Sequence, residues 1–335
     1  MTTTVLICDD SRFARRQMER CLPDGWDVDV YYAENGHRAL EMIRQGKGNV
    51  TFLDLNMPEL DGYETMRIIR DEDLPAMVIV VSGDVQPQAR ERMLAMGALD
   101  FISKPVDNTR LYEILCSYGV YEGESSNSGR IDHIKPLGVE DQLDVFREMA
   151  NIAMGRAGEN LANLLDVFIH LPIPNVNLLE SNELNMAINE IRLNDRVSAT
   201  SQGFISSGIF GEALLIFNDA NFTNMAKLLN YRQRQLSAQQ EVEALMDVSN
   251  ILVSACVNAI AEQLQVEFSQ HHPIVLGRHC DLDSLLVNNG FRWNRILAIE
   301  IGYCIPDRDI NFDLLLLFPD KSITTMFNKL VATGD

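Results

Sequence analysis

Neither part of this chain carries a surplus of positive charge. Among its 335 residues, 28 Lys and Arg face 48 Asp and Glu, a formal net charge of −20. Residues 1–121 hold 13 basic and 20 acidic side chains (net −7), and the remainder holds 15 and 28 (net −13). Both parts repel a phosphate backbone, and no DNA-binding motif is recognisable, so nucleic acid is not an expected partner. Long hydrophobic runs are also missing. "LPAMVIVV" and "LLLLF" fall well short of a membrane span, so no membrane insertion is expected. The start, "MTTTVLICDD", has no basic n-region and passes directly into a strand-like run, so no signal peptide is expected. Cys8, Cys21, Cys116, Cys256, Cys280 and Cys304 are scattered without a Cys-x-x-Cys pair. They read as free thiols of a cytoplasmic protein. There is no Gly-rich phosphate loop, no Ser-His-Asp arrangement and no basic aromatic stripe. His271, His272, His279 and Cys280 fall close together, but the corresponding earlier segment has no such residues, so the cluster is read as incidental rather than as a zinc site.

What is present in the first 121 residues is alternation. The β-rich runs "TVLIC", "DVDVYYA", "VTFLDL", "MVIVVSG" and "DFISK" are separated by helix-like stretches such as "SRFARRQMERCL" and "GYETMRIIRD". This pattern predicts a (βα)5 doubly wound parallel sheet buried on both faces, with a ligand site beyond the carboxyl ends of its strands. Asp9 and Asp10 follow the first strand, Asp54 the third, Ser82 the fourth and Lys104 the fifth. Three crowded carboxylates call for a hard divalent cation, for which Mg²⁺ is the expected choice. The chemistry implied is phosphoryl transfer to a carboxylate, giving an aspartyl phosphate.

"CDDS", "LDLNMPELDGYE", "VVSGD" and "DFISKP" together resemble the receiver domain of bacterial response regulators of the CheY type, over residues 4–119. The resemblance implies Asp54 as phosphoacceptor, with Asp9, Asp10, Asp54 and the Asn56 carbonyl around Mg²⁺. It implies that Ser82 and Lys104 contact the phosphoryl group and that Phe101 is the aromatic switch residue. It also implies a cis Lys104–Pro105 peptide, and it puts Asn56 and Asp84 at the two positions that tune dephosphorylation. A histidine kinase would be the phosphodonor.

"EGESSNSGRIDHIKPLG", residues 122–138, is rich in Gly and Ser at its start and has little apolar periodicity, so it reads as a flexible linker. Residues 139–335 then read as written twice, about 139–236 and 237–335. "FREMANI" answers to "LMDVSNI", with Asn151 and Asn250 99 residues apart, each followed by a proline (Pro174, Pro273) after 22 intervening residues. "GEALLIFNDANFTNMAKLL" recurs a hundred residues later as "NFDLLLLFPDKSITTMFNKL". The reading is a pseudo-two-fold α/β domain built from a tandem duplication. In the first copy Asp144, Glu148 and Asn151 stand at i, i+4 and i+7, within one helical arc of roughly 60°, and Gly155 and Gly158 continue the stripe.

This spacing resembles the CheC/CheX/FliY family of phosphatases, whose signature runs Asp or Ser, three residues, Glu, two residues, Asn, 22 residues, Pro. Asp144, Glu148, Asn151 and Pro174 match it in full. The second copy departs from it: Glu243 and Asp247 replace the first two positions, while Asn250 and Pro273 agree. The resemblance implies an asparagine that positions water against an aspartyl phosphate and a glutamate that pairs with the receiver lysine. The glycines would keep the helix face low enough to enter a receiver cleft. Asp247 is shorter than Glu by about 1.5 Å, and a misplacement of that size costs on the order of 100-fold, so the second site is expected to be weaker. The whole chain then reads as a receiver that regulates a phosphatase acting on a phosphorylated CheY-type receiver or on its own Asp54. The alternative is a non-enzymatic switch that binds a chemotaxis or flagellar partner.

Overall fold

The computed structural model describes residues 2–121, 139–180, 183, 196–228, 237–280, 295–308 and 310–333. The expected linker, 122–138, lies outside them. The chain divides into two compact units, one running to Ile152 and one spanning Ala153–Thr333. The sequence reading starts the second domain at 139. The division falls later, inside a helix, because side chains from the first half of that helix contact the first unit.

In the first unit β1 (Thr3–Cys8), β2 (Val28–Ala33), β3 (Val50–Leu53), β4 (Met77–Ser82) and β5 (Asp100–Ser103) form a parallel sheet in the order β2-β1-β3-β4-β5. Between and after them run α1 (Arg12–Arg20), α2 (Gly36–Arg44), α3 (Gly62–Asp71), α4 (Pro87–Ala95) and α5 (Asn108–Ser117). Period-two alternation sends Leu6, Leu53, Val78 and Val80 to one face, against Leu40 and Ile43 of α2 and Met66 and Ile69 of α3. Val5, Phe52, Ile79 and Ile102 go to the other face, against Met18 of α1 and Leu111, Ile114 and Leu115 of α5. Strands buried on both sides need the near-continuous apolar runs seen in the sequence. Four helices start on side-chain caps: Ser11, Asn35, Asp61 and Asp107 accept from the backbone N–H of Ala14, Arg38, Glu64 and Thr109. The Lys104–Pro105 peptide is cis.

Gly62 opens α3 directly behind the β3 terminus. A Cβ there would lie 2.2 Å from the Asp54 carbonyl oxygen and 2.7 Å from Leu55 Cα. Backbone cannot yield as a side-chain tip can. Gly62→Ala is therefore expected to destabilise the first unit by about 3 kcal/mol, read as a lower urea midpoint.

The second unit has a seven-stranded sheet in the order β10-β7-β8-β12-β11-β6, with β9 paired to β7. Its strands are β6 (Asn175–Glu180), β7 (Val197–Ser206), β8 (Ile209–Asn218), β9 (Ser269–Gln270), β10 (Ile274–Cys280), β11 (Arg295–Ile305) and β12 (Ile310–Pro319). Every pairing is antiparallel. Among the described residues its helices include the second half of α6 (Val139–Leu165), α7 (Phe222–Leu228), α8 (Ala238–Leu264) and α9 (Asp320–Thr333). Tyr303, Phe312 and Phe217 form a stacked aromatic row on one face of the sheet. Cys256 of α8 lies 3.6 Å from both the Tyr303 hydroxyl and the Ala153 carbonyl of α6, so both helices pack on that face. Contrary to the reading of short apolar runs, α8 is long and apolar enough to pass for a membrane span. Yet 67% of its apolar window is buried inside the protein, as in a core helix.

Candidate functional site

In the first unit the expected receiver residues converge at the carboxyl ends of the strands. Asp9 and Asp10 follow β1, Asp54 follows β3, Ser82 ends β4 and Lys104 follows β5. Oxygens of Asp9, Asp10 and Asp54 all lie within 4.8 Å of one another. Lys104 Nζ stands 2.6 Å from Asp9 Oδ2 and 3.3 Å from Asp54 Oδ2. Backbone fixes the other oxygens. Asp9 Oδ1 accepts from Ser11 N at 2.9 Å, and Asp54 Oδ1 accepts from Leu55 N at 2.8 Å. That leaves Asp54 Oδ2 turned toward the lysine. Ser82 Oγ accepts from Asp84 N at 3.1 Å, and the Asp84 carboxylate in turn accepts from Gln86 N. Phe101 is buried in the core cluster on the α2–α3 side of the sheet.

The electrostatics of this cleft are strained in one direction. Burial pushes the Asp54 carboxyl up to about 7, only partly offset by Lys104. Burial, and then Asp9, push Asp10 up to about 6. Burial works against the charged form of Lys104, but Asp54, Asp9 and Glu148 together hold its pKa well above the ordinary value. A set of crowded oxygen ligands with too little positive charge fits a hard divalent cation. Among the described residues, this is the one group of acidic, His or Cys side chains close enough to hold a metal ion.

The first half of α6 belongs to the same compact unit, and its polar stripe meets the cleft. Asp144 Oδ2 accepts from Phe13 N at 2.8 Å. Glu148 Oε1 lies 3.3 Å from Lys104 Nζ. Asn151 Oδ1 accepts from Asn56 Nδ2 at 3.4 Å. Three residues on one arc thus touch the segments just beyond β1, β5 and β3. Glu148 is only 4% exposed and Asn151 7%. Burial raises Glu148 to about 8 against the attraction of Lys104. Burial also raises Asp144, opposed by its bond from Phe13 N–H. Gly83 lies close against this helix: a Cβ there would stand 3.1 Å from the Asn151 carbonyl oxygen, a tight contact.

One part of the sequence reading changes. Gly158 does not serve a low face toward a receiver cleft: a Cβ there would stand 2.8 Å from a Leu171 methyl, so this glycine admits Leu171 in the second unit. In the His271–Cys280 segment, the His279 ring sits between Asp219 (2.8 Å) and Glu241 (3.1 Å). The second-copy residues Glu243, Asp247 and Asn250 are exposed on α8, with Glu243 accepting from Gln239 and Asn250 from Ser254. Pro174 and Pro273 are buried immediately before β6 and β10. The sequence reading missed Gly83 and the Phe13 amide. Gly83 stands inside the quoted "VVSGD" and had a visible signal. A backbone N–H has none.

Residues 5–116 match the model of the response regulator receiver domain, and this part of the chain is such a domain. Over 153 residues the chain is 35% identical to a protein-glutamate methylesterase/protein-glutamine glutaminase of Geobacter sulfurreducens, covering 45% of this chain and 40% of that protein. It is 34% identical over 109 residues to an uncharacterized response regulatory protein of Vibrio cholerae, covering 32% of this chain and 45% of that one. The chain therefore spans less than half the length of these relatives. Among solved structures it is similar to FliY of Thermotoga maritima (17% identity, TM-score 0.46, 59% of this chain and 98% of that one). It is also similar to a chain of the CheX–CheY–BeF3–Mg complex of Borrelia burgdorferi (28% identity, TM-score 0.33, 35% of this chain and 90% of that one).

Proposed function

We propose that this chain is a two-component signalling protein whose receiver, phosphorylated on Asp54, is joined to a CheC-like phosphatase that hydrolyses receiver aspartyl phosphates. The observation that carries the reading is the meeting of Glu148 with Lys104 and of Asn151 with Asn56 at the rim of the cleft that holds Asp54. Asp54 Oδ2 is the nucleophile that takes a phosphoryl group from a histidine kinase. Ser82 and Lys104 hold the transferred oxygens. Asp9, Asp10, Asp54 and the Asn56 carbonyl would hold Mg²⁺, which neutralises charge on the phosphoryl group when bound. The Asn151 carboxamide can both donate to and accept from a water, and so orients it in line with phosphorus. Glu148 grips the lysine and fixes the register of the helix.

The element order supports the duplicated reading of the second domain. Helix, strand, hairpin and short helix occur in α6-β6-β7-β8-α7 and again in α8-β10-β11-β12-α9, with β9 added. The copies exchange strands, β6 pairing with β11 and β10 with β7. Asp247 and Asn250 form the weaker second site in this reading. Their exposure also favours the alternative use of α8 as a docking face for a chemotaxis or flagellar partner.

The test is phosphate release after charging with acetyl phosphate and Mg²⁺, comparing the native chain with Asn151→Ala and Asn250→Ala. Loss of turnover with Asn151→Ala is expected. Loss with Asn250→Ala alone would move the site to α8. Replacing Mg²⁺ by EDTA is expected to abolish labelling of Asp54, as is Asp54→Asn, measured as incorporated phosphate.

A further inference from the structure

Resting on the reading of Glu148 and Asn151 as a phosphatase pair, we propose that the aspartyl phosphate it removes is that of its own chain. The protein is then a self-discharging receiver, in which one helix both closes Asp54 and clears it.

Four observations within the first unit carry this. The Asp144–Phe13, Glu148–Lys104 and Asn151–Asn56 contacts all come from one arc of α6. The fourth is Gly83, where the α6 backbone comes so near that a Cβ would stand 3.1 Å from the Asn151 carbonyl oxygen. These contacts lie after β1, β3, β4 and β5, so the helix engages every strand end that bears a site residue. Asp54 is 1% exposed and Lys104 4%. A helix that merely passed near the cleft would not bring a glutamate to Lys104 and a carboxamide to the Asn56 side chain together, with Asp144 on a third anchor.

The chemistry balances without any further reagent. Water oxygen attacks the phosphorus of the Asp54 acyl phosphate, and the P–O bond to the carboxyl oxygen breaks. The products are the Asp54 carboxylate and dihydrogen phosphate, and both water protons leave on the phosphate. Because nucleophile carrier and substrate share one chain, encounter is intramolecular, with an effective concentration on the order of millimolar for a short tether. The docked helix has a second consequence. A donor histidine must approach Asp54 in line, so charging requires the first half of α6 to leave the cleft, and its return ends the signal.

A complementation experiment on full-length chains tests the proposal. Asn151→Ala keeps Asp54 and can be charged with acetyl phosphate and Mg²⁺. Asp54→Asn cannot be charged but keeps the Glu148–Asn151 pair. After removal of the donor, phosphate release from the native chain is expected to be first order, with a half-life unchanged over a hundredfold range of protein concentration. Charged Asn151→Ala is expected to stay slow when mixed with excess Asp54→Asn. Release that accelerates with concentration, or rescue on mixing, would overturn the intramolecular assignment and leave the phosphatase reading intact. Equal lifetimes for the native chain and Asn151→Ala would sink both. Asn151→Ser runs beside Asn151→Ala, so that a folding defect in one variant does not decide the result.

Discussion

Asn151→Ala is expected to lose phosphate from Asp54 about a hundredfold more slowly than the native chain, with little change in its unfolding midpoint. Removal of a group that orients a reacting water or stabilises its transition state costs on the order of 100-fold to 1,000-fold. The stability side is modest for a geometric reason. The one side-chain bond lost, from Asn56 Nδ2, is long at 3.4 Å, and the residue is held in place by the helix rather than by that contact. Two further substitutions separate positioning from bulk. Asn151→Gln moves the carboxamide out by about 1.5 Å and is expected to fall between native and Ala. Asn151→Asp keeps the shape but cannot donate, and it adds a negative charge beside Asp9, Asp10 and Asp54, so it is expected to be as slow as Ala. Phosphate release after a single round of charging measures all three. A native lifetime in Asn151→Ala would remove the carboxamide from the chemistry.

The cleft was legible because a parallel sheet turns sequence position into spatial position. Asp9, Asp10, Asp54, Ser82 and Lys104 each stand just at or after a β-rich run, and strand ends in such a sheet share one edge. The stripe on α6 was legible for a related reason, since i, i+4 and i+7 repeat one face of a helix. What the stripe touches was not legible. Asp144 is satisfied by the Phe13 amide, a donor every residue but proline carries, so no residue type marks it. Asn56 was expected through its carbonyl, yet its side chain is what meets Asn151. Gly158 misled because two demands, a low outer face and close inner packing, call for the same residue, and only the nearness of Leu171 tells them apart. The exchange of β6 and β10 between the copies is a long-range pairing that local patterns do not encode.

Glu148→Gln is expected to trade rate for stability. Folded, Glu148 is buried and raised from 4.5 to about 8, because burial outweighs the attraction of Lys104. The unfolded chain releases this proton near 4.5, whereas the folded chain keeps it until about 8. Across that window the folded state binds more protons than the unfolded one, so stability falls as pH rises. Glutamine has the same shape and no proton to lose. The variant is therefore expected to flatten this part of the fall and to be the more stable chain at pH 8 in Mg²⁺-free buffer, with little difference at pH 4.5. Turnover should move the other way. Above about pH 8, where Glu148 is ionised, the variant exchanges an ion pair with Lys104 for a hydrogen bond from the lysine to an uncharged amide oxygen, and the helix keeps its register less firmly. Phosphate release is expected to slow about tenfold in Glu148→Gln and by more in Glu148→Ala, which has no contact to offer the lysine. Urea midpoints at the two pH values and single-round phosphate release separate the two effects. A Gln variant that is less stable than the native chain at pH 8 would mean that the Lys104 attraction exceeds the cost of burial. An unchanged rate would mean that Asp144 and Asn151 alone hold the register.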